Sequence, residues 1–362
     1  MQVPVLTLVL RFDLGRVWRG LAVAIPALAL GLAACGAQGG SDGGAERLPD
    51  RGLIPYEKIT AIDENPPFIF GPQEGRVLVE PSGVVEGGQV VLFLESRIEG
   101  DEGSRQIVRA LSQDGGLTFG PASIALSAPQ GVGSPSVLRV GDRWLMAVEL
   151  GGTGALGLAT SDDGVTFALD GAPLLEPEGD AEAGGLGGPS LVKVGQGFDL
   201  YYDARPLAVE GQGTPTPVRP FIARATAGAD LAFIRAGIVL QGGEGCVNGD
   251  GVPEGCWDGE GVESPELRRA IASASGRTVL RLMYTGVGRG GVNVGVGVAA
   301  SFDGERFSRF EFNPIMAQNR RERDPTNVLI GNDYLLYFTD RVNAAFGVGL
   351  ALNRADSPSE QF

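Results

Sequence analysis

Three carboxylates stand at or beside prolines in separate parts of this chain. Glu80 and Asp324 each directly precede a proline, and Glu263 comes two residues before one. Acid–base chemistry with paired carboxylates needs one protonated group that donates a proton and one ionised group that activates water or attacks, as in the cleavage of a glycosidic bond. Crowding raises the pKa of one carboxyl group, whereas a nearby arginine lowers that of its neighbour. We therefore take Glu263, Asp324 and Glu80 as candidate catalytic residues.

A second set of charged residues lies at the ends of aromatic-rich segments that we predict to be strands. Arginines among carboxylates bind polar groups of a ligand and tune the acidity of the carboxylates beside them. The candidate substrate-binding residues of this kind are Arg323, Asp203, Arg205, Glu95, Arg97 and Asp340, and Glu149 and Arg341 occupy similar positions. The alternative is that these side chains form ion pairs at a rim or hydrogen bonds along a narrow channel.

The elements that must position these residues repeat along the chain. Each repeat begins with an x-Pro step and a short apolar strand, continues with an aromatic-rich second strand, and has a third strand that ends in a polar turn. The period suits one four-stranded propeller blade. The repeat predicts an all-β fold, a five-bladed β-propeller with blades of four antiparallel strands, whose first strands begin at Pro81, Pro135, Pro189, Pro265 and Pro325.

The fifth repeat ends after its third strand. Residues 53–70 precede the first repeat and belong to none of the five. We predict that this N-terminal segment supplies the missing fourth strand and closes the ring, which leaves no sheet edge unpaired. In such a blade the turns between strands 1 and 2 and between strands 3 and 4 share one face, so the candidate residues gather at the opposite face.

Three polar turns contain an Asp-Gly step in a recurring context. Residues 112–119 fit the pattern S-x-D-x-G-x-T-aromatic, and residues 161–164 and 301–304 fit a shorter S-x-D-G form. In these turns Asp accepts backbone hydrogen bonds and Gly supplies a positive φ. We expect them to be structural, not catalytic.

The chain resembles the five-bladed propeller glycoside hydrolases of families 32, 43, 62 and 68. The resemblance spans about residues 53–355 and depends on the blade openings Glu263-Ser264-Pro265 and Arg323-Asp324-Pro325 and on repeated A-x-S-x-D-G-x-x-F segments. It implies that Glu263 is the general acid, that Asp324 is a supporting carboxylate and that Glu80 is nearest the position of the base.

Two functions follow from this resemblance. The first is a glycoside hydrolase that acts on an oligosaccharide or polysaccharide, and the alternative is a non-catalytic propeller that binds a glycan or a protein through the same face. The hydrolase would have a carbohydrate substrate as its partner, and a propeller that binds glycans would have a carbohydrate ligand. Trp257 is the one aromatic residue placed to stack on a sugar ring. The sequence leaves the oligomeric state open.

The N-terminal residues 1–34 have the features of an export signal. Arginines precede an apolar run over residues 21–30 that is too short to span a bilayer. The segment Leu32-Ala33-Ala34-Cys35 resembles a bacterial lipobox, which implies cleavage before Cys35 and lipidation of that cysteine; an ordinary signal peptide is the alternative. Residues 35–50 would then be the lipidated cysteine and a flexible tether, and residues 51–362 a single propeller. We expect a lipid anchor in the bacterial cell envelope, at the outer membrane, as the only contact with a membrane.

Composition excludes several classes of function. The chain carries a formal net charge of −15 and has no histidine. The acidic surface repels nucleic acid, so no nucleic-acid partner is expected. The absence of histidine excludes histidine-based triads and histidine metal sites.

Two cysteines flank a glycine-rich loop between the third and fourth repeats. In an exported protein Cys246 and Cys256 are expected to form a disulfide. The alternative for this loop is a calcium site built from the oxygens of Asn248, Asp250, Asp258 and Glu260, although the spacing differs from the known twelve-residue calcium loop. We expect no other metal and no cofactor.

Overall fold

Five four-stranded antiparallel sheets form the described part of the chain. In this computed structural model the description covers residues 56–59, 68–207, 219–243, 256–271, 278–288, 292–310, 313–317, 321–331 and 333–354. The five sheets are the blades of a propeller, so the fold prediction is confirmed. A single short helix, α1, precedes the third blade in these residues.

The strands follow the chain in simple up-and-down order within each blade. The first strand of the chain, β1 (Glu57–Lys58), belongs to blade 5. Blade 1 consists of β2 (Val77–Glu86), β3 (Gln89–Ile98), β4 (Asp101–Leu111) and β5 (Ser123–Ser127). Blade 2 consists of β6 (Val132–Val140), β7 (Arg143–Leu150), β8 (Ala155–Ser161) and β9 (Ala168–Leu175).

The remaining blades keep this order. After α1 (Gly179–Glu182), blade 3 consists of β10 (Leu186–Val194), β11 (Gly197–Ala204), β12 (Phe221–Ala227) and β13 (Ile234–Gln241). Blade 4 consists of β14 (Gly261–Ile271), β15 (Thr278–Gly288), β16 (Val292–Ser301) and β17 (Ser308–Arg309). Blade 5 adds β18 (Arg323–Ile330), β19 (Asp333–Val342) and β20 (Ala345–Arg354).

The N-terminal strand closes the ring, as the sequence predicts. β1 pairs antiparallel with β20, with Glu57 opposite Leu352. Further along the chain, Phe70 forms an additional antiparallel bridge with Val348. The fifth blade therefore gains its fourth strand from the segment that precedes the first repeat.

Hydrophobic side chains pack between neighbouring blades. Phe93 of β3 meets Trp144 of β7 between blades 1 and 2, with ring centroids 6.5 Å apart. Leu92 of β3 and Tyr337 of β19 belong to the cluster between blades 5 and 1. Five hydrophobic clusters of this kind fill the five junctions between neighbouring blades, one at each junction. Since burial of apolar surface is the main stabilising contribution, each blade depends on both of its neighbours.

A ring of hydrogen bonds between blades surrounds the propeller axis. In every blade, the side chain of the residue after the proline accepts a hydrogen bond from a backbone N–H of a neighbouring blade. The donor and acceptor pairs are Val137 N to Ser82 Oγ at 3.1 Å, Leu191 N to Ser136 Oγ at 2.9 Å, Leu267 N to Ser190 Oγ at 2.9 Å, Asn327 N to Glu266 Oε1 at 3.4 Å and Gly83 N to Thr326 Oγ1 at 3.0 Å. We call this set the axial ring.

Each first strand has an irregularity at its x-Pro step, a few residues after the strand begins. The pairing register between the first and second strands shifts there in all five blades. The residue directly before each proline has a positive φ, and four of these five residues are not glycine. Such backbone conformations cost roughly 1–3 kcal/mol each and cluster at functional sites. We call these five residues the mouth ring, and the end of the axis where they lie the mouth: Glu80, Ser134, Gly188, Ser264 and Asp324, with φ values of 52°, 46°, 47°, 50° and 50°.

The Asp-Gly turns lie at the opposite end of the axis, which we call the lower face. In the first of them Asp114 Oδ1 accepts the N–H of Thr118 at 2.9 Å, and Ser112 Oγ donates to the same oxygen at 2.8 Å. Hydrogen bonds from Thr118 lower the pKa of Asp114 to about 2. The same serine–aspartate contact recurs at Asp163 and Asp303. These aspartates therefore stabilise turns, as the sequence predicts.

Candidate active site

A cavity of about 610 Å³ lies on the propeller axis and opens at the mouth. This volume falls in the range of pockets that enclose a small ligand. The cavity continues past the axial ring as far as Leu138, Lys193 and Arg269. Its wall near the mouth contains the five residues of the mouth ring together with Arg97, Glu102, Arg105, Glu149, Asp203, Arg205, Glu263 and Arg323.

Glu80 extends from blade 1 and is held by neighbours on both sides. Its backbone N–H donates to Thr339 Oγ1 of blade 5 at 2.8 Å, and its Oε2 accepts a hydrogen bond from Ser134 Oγ of blade 2 at 2.5 Å. Arg97 Nη1 lies 3.7 Å from Oε1. Burial alone would raise the pKa of Glu80, but Arg105, Arg97 and the Ser134 hydroxyl together lower it below its ordinary value. Glu80 is therefore set up to be ionised.

Two arginines and two further carboxylates lie beneath Glu80. Glu95 is fully buried, and it accepts hydrogen bonds from Arg97 Nη1 at 2.6 Å and from Arg105 Nη2 at 2.8 Å. Arg105 also pairs with Glu149 of blade 2. Burial raises the pKa of Glu95 and of Glu149, and the charge of Glu80 adds to both effects. Burial and mutual repulsion of the carboxylates therefore favour retention of a proton in this cluster.

Arg105, which no sequence motif indicates, joins blade 1 to blade 2 in this cluster. Arg105 lies in β4, at a third strand, where no equivalent residue recurs in the other repeats. A side chain at position 133 would collide with Arg105 and Glu95, because a Cβ built on Gly133 meets both of them. The glycine before Ser134 is the sequence signal that could have indicated a crowded polar cluster.

A second group of charges lies at the junction of blades 2 and 3 and contacts the backbone of blade 4. Arg205 Nη2 lies 3.0 Å from Asp203 Oδ1, and Arg205 Nη1 lies 3.7 Å from Glu149 Oε1. The other carboxylate oxygen of Asp203 accepts the N–H of Ser264 at 3.1 Å. Asp203 is fully buried, whereas the Arg205 side chain is 39% exposed. Asp203 therefore fixes the backbone of the mouth ring, and Arg205 faces the cavity.

Asp324 occupies the position in blade 5 that Glu80 occupies in blade 1. Ser264 Oγ donates to its Oδ1 at 2.7 Å, and its backbone N–H donates to Thr285 Oγ1 at 2.9 Å. Its Oδ2 is buried and has no hydrogen-bond partner among the described residues, although Arg323 Nε lies 3.3 Å away. Burial, opposed by Arg323 and reinforced by Glu80, raises the pKa of Asp324. Asp324 therefore retains its proton more strongly than an ordinary aspartic acid.

Glu263 lies in the wall of the same cavity, one residue before the mouth ring. Its equivalent in blade 5 is Arg323, because Glu263 pairs with Thr285 as Arg323 pairs with Thr339. The mouth-ring position of blade 4 is held by Ser264. Glu263 is half-buried and its charge acts on Arg205 across the cavity.

Three of the predicted substrate-binding residues lie away from the cavity wall, and the first of them is the fully buried Glu95 described above. Asp340 is fully buried and pairs with Lys58 of β1 at 2.6 Å. It follows Thr339 in β19, and adjacent residues of a strand point to opposite faces. The ring of Trp257 stacks on Tyr284 with centroids 5.7 Å apart, and it fills the space over Gly286. The side chains of Asp340 and Trp257 thus take part in packing and closure of blades 4 and 5.

The predicted disulfide and calcium loop fall largely on residues that the description does not cover. Cys246, Asn248 and Asp250 lie outside the described residues, so the disulfide stays a prediction. Asp258 is buried and accepts hydrogen bonds from Tyr284 Oη at 3.0 Å and Arg309 Nε at 2.8 Å. Within the described ranges, no group of three or more acidic or cysteine side chains is arranged to bind a metal.

The mouth brings together two carboxyl groups with opposite tendencies. Glu80 and Asp324 hold equivalent positions on neighbouring blades, and the pKa of Glu80 is lowered while that of Asp324 is raised. Environments that separate the pKa values of two carboxyl groups in this way create a proton donor and a proton acceptor. The arrangement can therefore carry out general acid–base chemistry on a polar ligand.

Comparison with known proteins gives a consistent answer on the fold. No protein-family profile and no curated protein sequence matches this chain. Among solved structures, a glycoside hydrolase matches with a TM-score of 0.61 at 11% identity over 84% of this chain and 94% of its own. A thermostable family-43 glycoside hydrolase matches with a TM-score of 0.56 at 13% identity over 78% and 91%.

A third structure extends this comparison. The β-1,2-mannobiose phosphorylase from Listeria innocua, in complex with β-1,2-mannobiose, matches with a TM-score of 0.56 at 15% identity over 83% of this chain and 97% of its own. At such identities the likeness concerns the fold. The chain thus has the five-bladed β-propeller fold of these carbohydrate-active proteins.

Proposed function

We propose that this protein is a glycoside hydrolase whose active site is the axial cavity at the mouth. The observation that carries the proposal is the pair Glu80 and Asp324, which face one cavity from neighbouring blades with pKa values moved in opposite directions. Hydrolysis of a glycosidic bond needs such a pair. The similarity in fold to solved glycoside hydrolases adds support.

In the proposed reaction Asp324 is the acid and Glu80 is the base. Asp324 gives its proton to the glycosidic oxygen as the bond between that oxygen and the anomeric carbon breaks. Glu80 takes a proton from water as the water oxygen forms the new bond to that carbon. Glu263, which the family resemblance makes the acid, lies in the same wall, and we propose it as a contact for the hydroxyl groups of the sugar.

The wall suggests how a sugar would be held. Its residues are charged groups, serines, prolines and aliphatic side chains, with no aromatic ring among the described ones. Recognition would therefore depend on hydrogen bonds and charge, with the exposed guanidinium of Arg205 and the side chains of Arg323 and Glu263 as the groups proposed to contact the sugar.

The test is hydrolysis of aryl glycosides and of arabinan, xylan, fructan and mannan oligosaccharides by the chain purified without residues 1–34. Glu80→Gln and Asp324→Asn should each lower kcat by at least about a hundredfold, whereas Glu263→Gln should act mainly on KM. If Glu263→Gln abolishes kcat and Asp324→Asn does not, the acid is Glu263. Binding of an oligosaccharide with no turnover by the wild type would refute the hydrolase.

We also propose that the protein is a lipoprotein of the bacterial cell envelope, held at the outer membrane through Cys35. The proposal is supported by the apolar run and the lipobox-like segment that ends at Cys35. Over the residues that the structure describes, there is no helix of the length and hydropathy needed to cross a membrane. Metabolic labelling with a radioactive fatty acid should mark the wild type and not Cys35→Ala, and the variant should leave the membrane fraction.

A further inference from the structure

Two serines of the mouth ring contact the two carboxylates of the proposed catalytic pair. Ser134 Oγ lies 2.5 Å from Glu80 Oε2, and Ser264 Oγ lies 2.7 Å from Asp324 Oδ1. Each serine belongs to the blade next to that of its carboxylate, on the side away from the other carboxylate. The mouth ring thus has an approximate mirror arrangement, in which Glu80 and Asp324 are adjacent, one serine flanks each, and Gly188 completes the ring.

We propose that Ser134 and Ser264 are positioning residues that orient Glu80 and Asp324 separately and set the pH range in which each one works. The inference rests on the proposed function, since it assigns a role in that reaction. Neither serine needs to touch the substrate for this role.

Ser134 contacts two further carboxylates besides Glu80. Its Oγ lies 3.3 Å from Glu149 Oε2, and its backbone N–H donates to Glu95 Oε2 at 3.1 Å. One residue therefore joins three carboxylates from two blades. A hydroxyl has one proton to donate, and the shorter distance assigns it to Glu80, which favours the ionised form of that carboxylate.

Ser264 makes the corresponding contacts on the other side of the mouth. Its backbone N–H donates to Asp203, and its hydroxyl donates to one oxygen of Asp324. This hydrogen bond holds Oδ1, so the other oxygen, Oδ2, is the one left without a hydrogen-bond partner among the described residues. Ser264 thereby fixes the orientation of the Asp324 carboxyl group in the wall of the cavity.

Backbone geometry limits which side chains fit the mouth ring. Both serines have a positive φ, which disfavours β-branched residues. At the equivalent position of blade 3, a Cβ on Gly188 would approach Asp203 Oδ2 and the backbone of Ser264 within 2.9 Å. The ring therefore offers room for a hydroxyl at two positions and for no side chain at the third.

The pH test must account for every charged group around the pair. The charged groups around Glu80 on β3, β4, β7 and β18 are Glu95, Arg97, Arg105, Glu149, Arg323 and Asp324. Arg205, directly after β11, also interacts with Glu80, and Glu263 of β14 acts on Arg205. Substitution of either serine leaves all of them in place. A change confined to one carboxylate can therefore be assigned to the missing hydroxyl.

The experiment compares wild type, Ser134→Ala and Ser264→Ala in kcat/KM against pH. The acidic limb of the profile reports the base and the basic limb reports the acid. Loss of a hydrogen bond to the ionised form raises the pKa of a carboxyl group. Ser134→Ala should move only the acidic limb to higher pH, and Ser264→Ala only the basic limb, each with a loss in kcat of roughly ten- to a hundredfold.

Controls separate positioning from stability. Ser136→Ala removes a hydroxyl of the axial ring, so it should lower the melting temperature without moving either limb. If an alanine variant does not fold, Ser134→Gly or Ser264→Gly removes the same hydroxyl and suits the positive φ. The inference would be overturned if both limbs of the pH profile stayed at the wild-type pH, or if both limbs moved together in each variant.

A readout without substrate separates this inference from the proposed function. Carbon-13 NMR of the side-chain carboxyl groups follows the titration of Glu80 and Asp324 in the resting protein. One result would be a higher pKa of Glu80 only in Ser134→Ala and of Asp324 only in Ser264→Ala, with no hydrolysis by the wild type. That result would support the positioning role and refute the hydrolase. Hydrolysis with unchanged titration of both carboxyl groups would refute the positioning role alone.

Discussion

Thr326 Oγ1 accepts the backbone N–H of Gly83 at 3.0 Å, and this hydrogen bond joins the last blade to the first. Thr326 also donates to Glu266 Oε1 at 3.0 Å, so one hydroxyl completes the axial ring on both sides. Chain connectivity alone does not close the propeller. This contact, the β1–β20 pairing and the hydrophobic cluster between blades 5 and 1 do so together.

Thr326→Val should therefore destabilise the whole ring. The substitution keeps the shape of the side chain and leaves the buried N–H of Gly83 without an acceptor, at a cost of about 1–3 kcal/mol. Urea unfolding followed by tryptophan fluorescence measures the change in free energy. Thr166→Val, at an exposed turn position, is the matched control and should stay within about 0.5 kcal/mol of wild type. Equal stability of the two variants would contradict the closing role.

Gly133→Ala should disrupt the polar cluster at the mouth. The added Cβ collides with Arg105 and Glu95, so at least one ion pair must break. Breaking a buried ion pair costs about 3–5 kcal/mol, and the melting temperature should fall accordingly. Gly171→Ala in β9 is the control, because a Cβ there meets no atom within 4 Å. A stable Gly133→Ala protein with unchanged hydrolysis would show that the cluster tolerates rearrangement.

Asp324→Asn should stabilise the protein at neutral pH while it removes activity. Because the pKa of Asp324 is raised in the fold, ionisation of this residue costs stability as the pH rises past its ordinary value of 3.8. Asparagine carries no charge and tolerates the positive φ at this position. The difference in melting temperature should vanish in acid and grow toward pH 7. The exposed Asp170→Asn is the control, and a variant less stable than wild type at pH 7 would contradict the prediction.

Reduction of the predicted Cys246–Cys256 disulfide should lower the melting temperature. A loop of this length contributes on the order of 3 kcal/mol in the chain-entropy description. Calorimetry with and without reductant measures the effect on the wild type. A variant with both cysteines replaced by serine should melt at the lower temperature in both buffers. An unchanged melting temperature of the wild type under reductant would remove the disulfide from the account.

The fold could be predicted from the sequence because the repeat marks every blade. Each x-Pro step lies within a first strand, which begins two to four residues before the proline and not at it. The incomplete fifth repeat together with the unused segment before Pro81 predicts the closure that β1 provides. Hydrophobic alternation and turn residues are local signals. These signals recur in every repeat because each blade buries both faces of its sheet against the neighbouring blades.

The site could be predicted only in part, because its detailed geometry depends on single-residue registers. Glu80 and Asp324 lie in the mouth ring as neighbours, but Glu263 is one residue away from that position and Asp340 points to the other face of its strand. Arg105 comes from a third strand that has no repeated signature. Side chains that meet across blade junctions leave no periodic trace in the sequence.

The direction of β1 has a consequence for how the protein meets its surroundings. β1 runs from the lower face toward the mouth, so it begins at the lower end, and β20 also ends there with Arg354. The first and last described strands of the propeller thus both leave the mouth clear. The width of the opening alone would then decide which ligands can enter the cavity.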